Sequence, residues 1–596
     1  MNKKKGWKNY IKWFFGAILV LYPFLHVNVG VDITDTGFSL GSFLFEPQMG
    51  EEWVLFATYL ANLIGTLLTK LPFGTTMLGM NVYTTAFVSL SAVIAYLFLS
   101  KKIPAWIAFV GIFLAESLCW CPTIILYNYL SYFLFTILVI FLYKGLTQKR
   151  LFLFLAGIIL GCSVMVRFPN LAQSAMILAV WYYGVLQKDK MKIILQNTFL
   201  CLGGFFTGIV LILFEISIQY GLSSYLSMIT HLLEMGSSSG EGHSLGTMLF
   251  AIVDAYFVAF RWMLYPIGYG VVGVLAFYLV RKNKILLKVG SILYWIGTFV
   301  LFRLLYGRGM FNFKYYTYES MFQWVAIFLI LAILAMLVIL MKKNQNTQDR
   351  LLACMILLVI LITPLGSDNY LYPIMNNLFL IAPVTIYFLF QFLQESYQNS
   401  FTTNAKTPYL QPLVILLGMV LLITYLQSTL FGYCFVFRDG TVGEPLDTTI
   451  TQNEVLKGMV TSKQKAEMLE SVTAFAKENQ LIGKKVILFG NIPAMSCFLE
   501  MPAALSTSWP DLATYRVSTM EQELEEIHQN DGRPIVILSA SVGAWLAEDA
   551  EEMTRKGVTA EMYQKDEKVA LLRGFLEKNQ YQETYANEEF VIYEIQ

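Results

Sequence analysis

The sequence predicts a polytopic membrane protein of α-helices with a small α/β domain at its C-terminal end. Three observations support this fold class. Only 14% of the 596 residues are charged, against roughly 25% in soluble globular chains, and the mean hydropathy is +0.58. Apolar runs near the ~20 residues that cross a bilayer recur along the chain. From about Arg438 onward, charged residues become frequent and the patterns shorten.

About thirteen apolar runs have the length and continuity of membrane-spanning helices. The strands of a membrane barrel would instead alternate in segments of about ten residues. Between the first two runs, Trp53–Leu68 is half apolar, which indicates a segment along the membrane interface. A long loop is predicted after Ile216, up to about Phe257. The predicted spans are Trp13–Val29, Met80–Leu99, Pro104–Trp120, Tyr127–Tyr143, Leu151–Val166, Leu171–Leu186, Ile194–Ile216, Ala259–Val280, Ile285–Tyr306, Tyr318–Leu340, Leu351–Leu365, Met375–Phe392 and Tyr409–Gly432.

The distribution of Lys and Arg predicts the orientation. Lysines precede the first run, which lacks a small-x-small cleavage site and is therefore interpreted as an uncleaved helix. Alternate loops hold most of the basic residues, as cytoplasmic loops do, and the opposite loops hold few. We therefore predict a cell-membrane protein with a cytoplasmic N-terminus. Residues 1–437 form the transmembrane domain with an external loop at 30–73, and residues 438–596 form an extracytoplasmic domain.

The C-terminal part has the alternating patterns of a soluble domain. Ser462–Glu478 and Val569–Lys578 have helical periodicity, whereas Lys485–Gly490, Pro534–Leu538 and Phe590–Ile595 have the composition of strands. A length of about 150 residues is ordinary for one domain. These patterns predict an α/β domain.

Two carboxylates, Asp32 and Asp35, follow the first predicted span directly. One interpretation is a solvated loop in which one Asp caps a short helix. The other is an acid/base pair or a site for a divalent cation, and Glu46, Glu51 and Glu52 in the same loop favour it. Near the low-dielectric edge of a bilayer, two Asp side chains raise one another's pKa or bind a divalent ion. Either arrangement suits a general base that deprotonates an attacking hydroxyl.

This arrangement resembles the GT-C class of polytopic glycosyltransferases. In that class a cytoplasmic N-terminus and one span precede an external acidic motif and an interfacial helix, and some members carry a soluble C-terminal domain. The class includes the oligosaccharyltransferases, the protein mannosyltransferases and the bacterial lipid A aminoarabinose transferases. The resemblance implies a GT-C-like fold, a sugar donor carried on polyprenyl phosphate or pyrophosphate, and transfer on the outer face of the membrane.

The segment Asp35-Thr36-Gly37-Phe38 matches the Asp-Glu-x-aromatic motif of the class at its Asp and near its aromatic residue. Thr36 replaces the second acid, and Asp32 is the candidate for the missing carboxylate. In the class, an Asp of the first external loop acts as the base or as a metal ligand. The resemblance therefore implies this role for Asp35, assisted by Asp32, with Mg or Mn as the candidate cofactor. It leaves open which Asp is the base.

Two ionisable residues lie inside or beside predicted spans. Arg167 is followed by Pro169, which prevents a continuous helix between two short apolar runs. It is either an interfacial Arg that extends toward water or a clamp for the donor phosphate, because guanidinium binds phosphate bidentately. Glu116 lies within the third predicted span and is a candidate for substrate binding, with Arg167 as a possible partner. The alternative is a protonated or hydrogen-bonded packing residue.

Two further loops contain candidates for binding the donor or the substrate. Arg303 and Arg308, at one predicted outer end, are candidates for holding the donor phosphate, and the nearby Tyr316 is a candidate for substrate binding. Cations with aromatic rings suit an anionic glycolipid or a solvated loop equally. Asp368, in a Gly-Ser-Asp-Asn-Tyr segment, suits either a sugar or a turn. The Gly-Ser-rich segment 236–240 is predicted to be a mobile flap.

These observations predict a membrane glycosyltransferase that moves a sugar from a polyprenyl-phosphate donor to a glycan, lipid or protein acceptor. The alternative is a transporter or flippase of lipid-linked glycans, which would place charges across the membrane depth and often has repeated halves. A third possibility is an anchor for the external domain. The net charge of +1 indicates no attraction to nucleic acid.

Overall fold

The computed structural model of the protein describes residues 2–45, 56–237, 245–317, 319–342, 344–367, 369–401, 406–441, 443–530, 533–559, 561–564 and 566–595. Within these ranges the chain is mainly α-helical, and its strands lie in the C-terminal part. The predicted class, a helical membrane protein with a C-terminal α/β region, is therefore confirmed.

The N-terminal part is a succession of helices joined by short connections. Among the described residues, short 3-10 stretches interrupt it at Tyr22–Phe24, Phe168–Met176 and Pro408–Leu410. The α-helices are α1 (Asn2–Leu21), α2 (Asp35–Phe45), α3 (Tyr59–Thr69), α4 (Met77–Leu99), α5 (Ala105–Leu118), α6 (Leu126–Thr147), α7 (Leu151–Val166), α8 (Ile177–Gln187), α9 (Met191–Gln219), α10 (Leu222–Ser237), α11 (Leu245–Val280), α12 (Lys284–Gly307), α13 (Glu319–Met341), α14 (Thr347–Ile362), α15 (Tyr372–Met375), α16 (Ile381–Phe401) and α17 (Gln411–Cys434).

Among the described residues, seven helices are long and apolar enough to cross a membrane: Met77–Leu99, Leu126–Thr147, Met191–Gln219, Gly246–Val280, Lys284–Gly307, Glu319–Met341 and Pro408–Cys434. Shorter apolar helices include α5 and α7, each predicted as a span from the sequence. Many large apolar side chains of α9, α11 and α12 are exposed on the protein surface, as expected where lipid is the solvent. The protein is a multi-pass membrane protein, and the count of thirteen spans stays a prediction.

The long loop predicted after Ile216 is wrong over the described residues. Helix α9 continues to Gln219, α10 follows at once, and α11 begins at Leu245 rather than near Ala259. Tyr225 and Met228 on α10 are buried. The apolar residues of α10 recur with a helical period. Polar residues interrupt them, however, and the helix is shorter than a membrane span, so the segment did not match the pattern of a span.

Helices α7 and α9 approach closely through glycines. A Cβ added to Gly157 would lie only 2.1 Å from the backbone oxygen of Cys201, and Gly161, Gly204 and Gly208 have similarly close backbone neighbours. Small residues four apart on both helices allow this close packing in a membrane. Because α7 ends immediately before Arg167, this contact gives that residue a rigid support.

The C-terminal region contains a four-stranded sheet in the order β3 (Val486–Phe489), β4 (Ile535–Ser539), β6 (Phe590–Ile595) and β5 (Tyr581–Ala586), and a small antiparallel pair, β1 (Thr448–Thr449) and β2 (Val460–Thr461). Strands β3 and β4 are parallel, and the β4-β6 and β6-β5 pairs are antiparallel. The predicted helices and strands of this region are present with small shifts at their ends. The elements are β1 (Thr448–Thr449), β2 (Val460–Thr461), α18 (Lys463–Glu478), β3 (Val486–Phe489), α19 (Met495–Phe498), α20 (Val517–Gln529), β4 (Ile535–Ser539), α21 (Ala540–Leu546), α22 (Ala550–Arg555), α23 (Glu567–Lys578), β5 (Tyr581–Ala586) and β6 (Phe590–Ile595).

The C-terminal region is bound to the loop that follows α1. The backbone N–H of Gly30 donates to the carbonyl of Val460 at 2.8 Å, and the N–H of Val460 donates to the carbonyl of Asn28 at 2.7 Å. Val31 and Leu40 are fully buried in one apolar core with residues of the C-terminal region. The acidic loop is therefore held between the helical bundle and the α/β region.

Candidate active site

The acidic loop ends in the first turn of α2, and Asp32 stabilises this turn. Its Oδ1 accepts hydrogen bonds from the N–H of Thr34 at 2.9 Å and from the Thr34 hydroxyl at 2.5 Å. Its Oδ2 accepts from the N–H of Thr36 at 2.8 Å. The side chain is 3% exposed. Asp32 therefore satisfies backbone N–H groups at the start of the helix, as an N-terminal capping residue does.

The carboxylate of Asp35 is differently placed, on the first residue of α2. Its Oδ2 lies 2.8 Å from Nη1 of Arg438, and its side chain is 30% exposed. Burial raises the pKa of the Asp35 carboxyl from 3.8 to about 6, although Arg438 lowers this pKa and Asp32 adds a smaller increase. At neutral pH this carboxylate is mostly ionised and more basic than an ordinary Asp, which suits a general base.

Asp35 lines a cavity of about 340 Å³ between the acidic loop, the ends of the membrane helices and the C-terminal region. The same cavity contains Arg167, so the proposed base and the proposed phosphate ligand share one space. Its full lining comprises Asp35, Phe38, Ser39, Ser42, Phe43, Ala57, Thr58, Ala61, Asn62, Tyr127, Arg167, Pro169, Trp509, Leu512 and Thr514. The cavity combines one carboxylate, one guanidinium, aromatic rings and small polar groups.

Arg167 directly follows α7 and adopts an extended backbone before the 3-10 stretch that begins at Phe168. Its Nη2 donates to the carbonyl of Gly366 at 3.2 Å, and its guanidinium lies 5.8 Å from the ring centre of Tyr127. Tyr127 stands at the beginning of α6. The cation is therefore positioned where α7 ends and α6 begins.

The C-terminal region supplies part of this cavity, which the sequence patterns did not predict. The ring of Trp509 meets Phe38 of α2 edge to face, with centroids 5.6 Å apart, and Trp509 Nε1 donates to Oδ1 of Asn491 at 3.0 Å. Leu512 and Thr514 lie on the same side. In the sequence, Trp509 stands beside a proline in a segment without periodicity. This pattern does not indicate that its ring contacts α2.

Glu116 is buried near the end of α5, 4% exposed. Within the described ranges, neither of its carboxylate oxygens has a hydrogen-bond partner. Glu116 is absent from the lining of the Asp35 cavity, and the hydrogen bond found for Arg167 goes to Gly366 instead. The structure thus brings together Asp35 and Arg167 without Glu116.

The other predicted site residues lie apart from this cavity. Arg303 and Arg308 are exposed near the end of α12. The guanidinium of Arg303 lies 5.5 Å from the ring centre of Tyr306, and Arg308 donates to the hydroxyl of Tyr265. Tyr316 is half-buried and does not line the cavity. These cations therefore pair with aromatic rings of their own neighbourhood. Outside the described residues lie Asp368, Glu46, Glu51, Glu52 and residues 238–240 of the predicted flap.

The described groups near Asp35 are engaged with protein partners. In the part of the chain that the structure describes, no three His, Cys, Asp or Glu side chains are grouped as metal ligands. Both oxygens of Asp32 already accept hydrogen bonds, and Asp35 pairs with a guanidinium. Divalent cations such as Mg²⁺ are usually held by several oxygen ligands. The Mg or Mn site stays a prediction, since the other carboxylates of the acidic loop lie outside the described residues.

No family model matches the sequence, and no curated protein matches it. Similar solved structures include the crystal structure of ArnT from Cupriavidus metallidurans bound to undecaprenyl phosphate, with a TM-score of 0.45 and 11% identity over 97% of each chain. The apo structure of the same protein has a TM-score of 0.38 and 10% identity, over 99% of this chain and 98% of that one. ArnT is an aminoarabinose transferase, one of the proteins that the sequence resembles.

Proposed function

We propose that the protein is a membrane glycosyltransferase that uses a sugar linked to a polyprenyl phosphate. The acceptor is a hydroxyl group of a glycan, a lipid or a protein at the outer face of the membrane. The observation that carries this proposal is the position of Asp35 and Arg167 in one cavity at the ends of membrane helices. A base and a phosphate ligand in the same space are the groups that transfer from a lipid phosphate requires.

Asp35 acts as the general base. The acceptor hydroxyl oxygen attacks the anomeric carbon of the donor, and its proton passes to the Asp35 carboxylate. The bond between the anomeric carbon and the phosphate oxygen breaks, and the electron pair leaves with the polyprenyl phosphate. A carboxyl pKa of about 6 suits this role, because efficient bases have pKa values near the working pH.

Arg167 binds the donor phosphate. Its guanidinium is only half-buried, and the hydrogen bond found for it uses Nη2, so further N–H groups point elsewhere. Guanidinium binds phosphate oxygens bidentately and stabilises the charge that develops on the leaving group. Because Arg167 follows α7 directly, a bound phosphate would lie at the membrane surface while its polyprenyl chain stays among the helices.

The sugar occupies the part of the cavity beside the Phe38 and Trp509 rings. Aromatic rings offer apolar faces to the C–H groups of a sugar ring, and small polar groups exchange hydrogen bonds with its hydroxyls. Ser42 and Asn62 supply such polar groups on the same wall. A volume of about 340 Å³ is at the lower end of small-molecule sites.

One observation favours the alternative, a transporter or flippase of lipid-linked glycans. Glu116 is buried within an apolar helix, and both oxygens lack partners among the described residues. Carboxylates in such positions are typical of transport pathways. The two functions differ in outcome, because a flippase returns the donor chemically intact whereas a transferase releases polyprenyl phosphate.

The test is sugar transfer by purified protein in lipid vesicles. The donors are undecaprenyl phosphates carrying radiolabelled glucose, galactose, mannose or N-acetylglucosamine, and the acceptor is a total cell-envelope fraction. We expect transfer and release of undecaprenyl phosphate by the wild type, and a rate at least ~100-fold lower for Asp35→Asn. Asp447→Asn, at an exposed position of the C-terminal region, is the matched control. Full activity of Asp35→Asn would remove the proposed base, and donor crossing the bilayer without cleavage would favour the flippase.

A further inference from the structure

We infer that Arg438 is a positioning residue that holds the Asp35 carboxylate in its reactive place and couples it to the C-terminal region. This inference rests on the proposed function of Asp35. Arg438 comes four residues after the end of α17, where the chain passes from the membrane helices into the α/β region. The sequence around Arg438 indicates only a domain boundary.

The contacts of Arg438 connect the charged groups of the acidic loop. Its Nη1 lies 2.8 Å from Oδ2 of Asp35 and donates to the Thr34 hydroxyl at 2.7 Å. The Thr34 hydroxyl in turn donates to Oδ1 of Asp32 at 2.5 Å. Both aspartates are therefore linked through one guanidinium and one hydroxyl, which fixes the direction of the Asp35 side chain.

The backbone of Arg438 is itself fixed. Its φ angle is 50°, in the left-handed region that is unfavourable for a non-Gly residue. The side chain of the next residue, Asp439, is 3% exposed and accepts hydrogen bonds from the N–H of Val31 and the hydroxyl of Thr461, each at 2.7 Å. Lys465 donates to Oδ1 of Asp439 at 2.8 Å. These contacts hold the unfavourable backbone conformation in place.

Arg438 and Asp35 separate two cavities. Asp35 lines the cavity that also contains Arg167, whereas Arg438 lines a second cavity of about 390 Å³ between the acidic loop, α18 and the β6 strand. Asp439 and Lys465 line the second cavity as well. The ion pair therefore joins a residue of the first cavity to a residue of the second.

The other charged groups that the structure describes around Asp35 do not replace Arg438. Asp32 has the same sign of charge, and Arg167 shares the cavity without an ion pair to Asp35 at 4 Å or less. Tyr127 of α6 is an uncharged phenol at neutral pH. On the side of α19, Cys497 donates its thiol to the carbonyl of Gly37 at 3.3 Å and adds no charge. A loss of Arg438 therefore leaves the Asp35 carboxylate without its cation.

The test compares Arg438→Gln with Lys463→Gln, which removes a positive charge from an exposed position of α18. Arg438 does not line the donor cavity, so we expect Arg438→Gln to lower kcat about 10- to 100-fold while the KM for the undecaprenyl-phosphate donor stays within about twofold. Arg438→Lys should recover part of the rate, and methylguanidinium added to an Arg438→Ala variant should recover part of it too. An unchanged kcat in Arg438→Gln, or a loss that appears wholly in donor KM, would overturn the inference.

A second readout does not depend on transfer. Labelling of Asp35 by a water-soluble carbodiimide, followed by peptide mass spectrometry, should become several-fold faster in Arg438→Gln because the carboxyl is released from its partner. Lys463→Gln should leave the labelling rate unchanged. If Arg438→Gln is labelled faster but the wild type transfers no sugar, the positioning contact is supported and the proposed function is contradicted. Unchanged labelling with active wild-type protein would contradict the positioning role alone.

Discussion

Asp35 Oδ2 and Arg438 Nη1 lie 2.8 Å apart, although the two residues belong to opposite ends of the transmembrane part of the chain. The pKa of Asp35 is nevertheless about 6, because burial outweighs the opposing effect of the guanidinium. A general base must be ionised to accept a proton. We therefore expect the transfer rate to be constant above about pH 7 and to fall as the pH drops through about 6, as measured by a pH series of kcat/KM.

Stability provides the control for this pH dependence. Since the fold raises the Asp35 pKa above 3.8, the contribution of Asp35 to stability is fully present below pH ~4 and is lost as the pH rises through about 6. Asp35→Asn should therefore be no less stable than the wild type at about pH 8, by thermal unfolding in detergent. If Asp35→Asn lost both activity and stability, the loss of activity would reflect unfolding and would not identify Asp35 as the base.

Asp32 is expected to matter for the loop rather than for proton transfer. Asp32→Ala removes the acceptor of the N–H groups of Thr34 and Thr36, and loss of such a cap costs about 1–2 kcal/mol. Asp32→Asn keeps one side-chain oxygen as acceptor and loses the other, so it should lose less stability than Asp32→Ala and keep most of the transfer rate. An inactive yet fully stable Asp32→Asn would instead make Asp32 the base.

Arg167 and Arg308 distinguish two places for the donor phosphate. Arg167→Met should raise the KM for the undecaprenyl-phosphate donor roughly 10- to 100-fold, because a hydrogen bond to a charged group contributes about 1.5–3 kcal/mol. Arg167→Lys should have a donor KM between those of the wild type and Arg167→Met, since the ammonium lacks the planar pair of donors of a guanidinium. Arg308→Met should leave this KM unchanged, because Arg308 does not line the cavity. The reverse pattern would place the donor near α12.

Removal of divalent metal should leave the rate unchanged. Asp32 uses its oxygens on the loop, Asp35 is paired with Arg438, and no three metal ligands are grouped in the described part of the chain. Transfer should therefore proceed at the same rate in excess EDTA and with added Mg²⁺ or Mn²⁺. A rate that falls in EDTA and returns with Mg²⁺ would establish the cation site that the acidic motif suggested.

Features that depend on neighbouring residues in the sequence could be predicted, whereas contacts between distant segments could not. Helix α18 was predicted to within one residue, and Phe590–Ile595 was predicted as observed, because periodicity is local. Asp35 and Arg167 were selected because charge beside an apolar run is equally local. Trp509 and Arg438 were missed as site residues, since they reach the acidic loop through tertiary packing that leaves no pattern in their own segments.

The packing of α2 against α19 holds the acidic loop on the C-terminal region. This packing requires a glycine at position 37. A Cβ added to Gly37 would lie 2.0 Å from Cβ and 2.7 Å from Cα of Ala494. Backbone would have to move, so Gly37→Ala should destabilise the protein by about 1–3 kcal/mol and should lower kcat by displacing Asp35, two residues earlier.

Gly41, one turn further along the same face of α2, is the matched control for Gly37. Its added Cβ would find Cys497 Cβ at 3.8 Å, an ordinary contact. Because Ala is favoured over Gly in a helix by about 1 kcal/mol, Gly41→Ala should be neutral or stabilising and should keep its activity. Thermal unfolding and limited proteolysis of the two variants measure the difference. Equal stability and activity of the two variants would mean that the contact between α2 and α19 does not determine the position of Asp35.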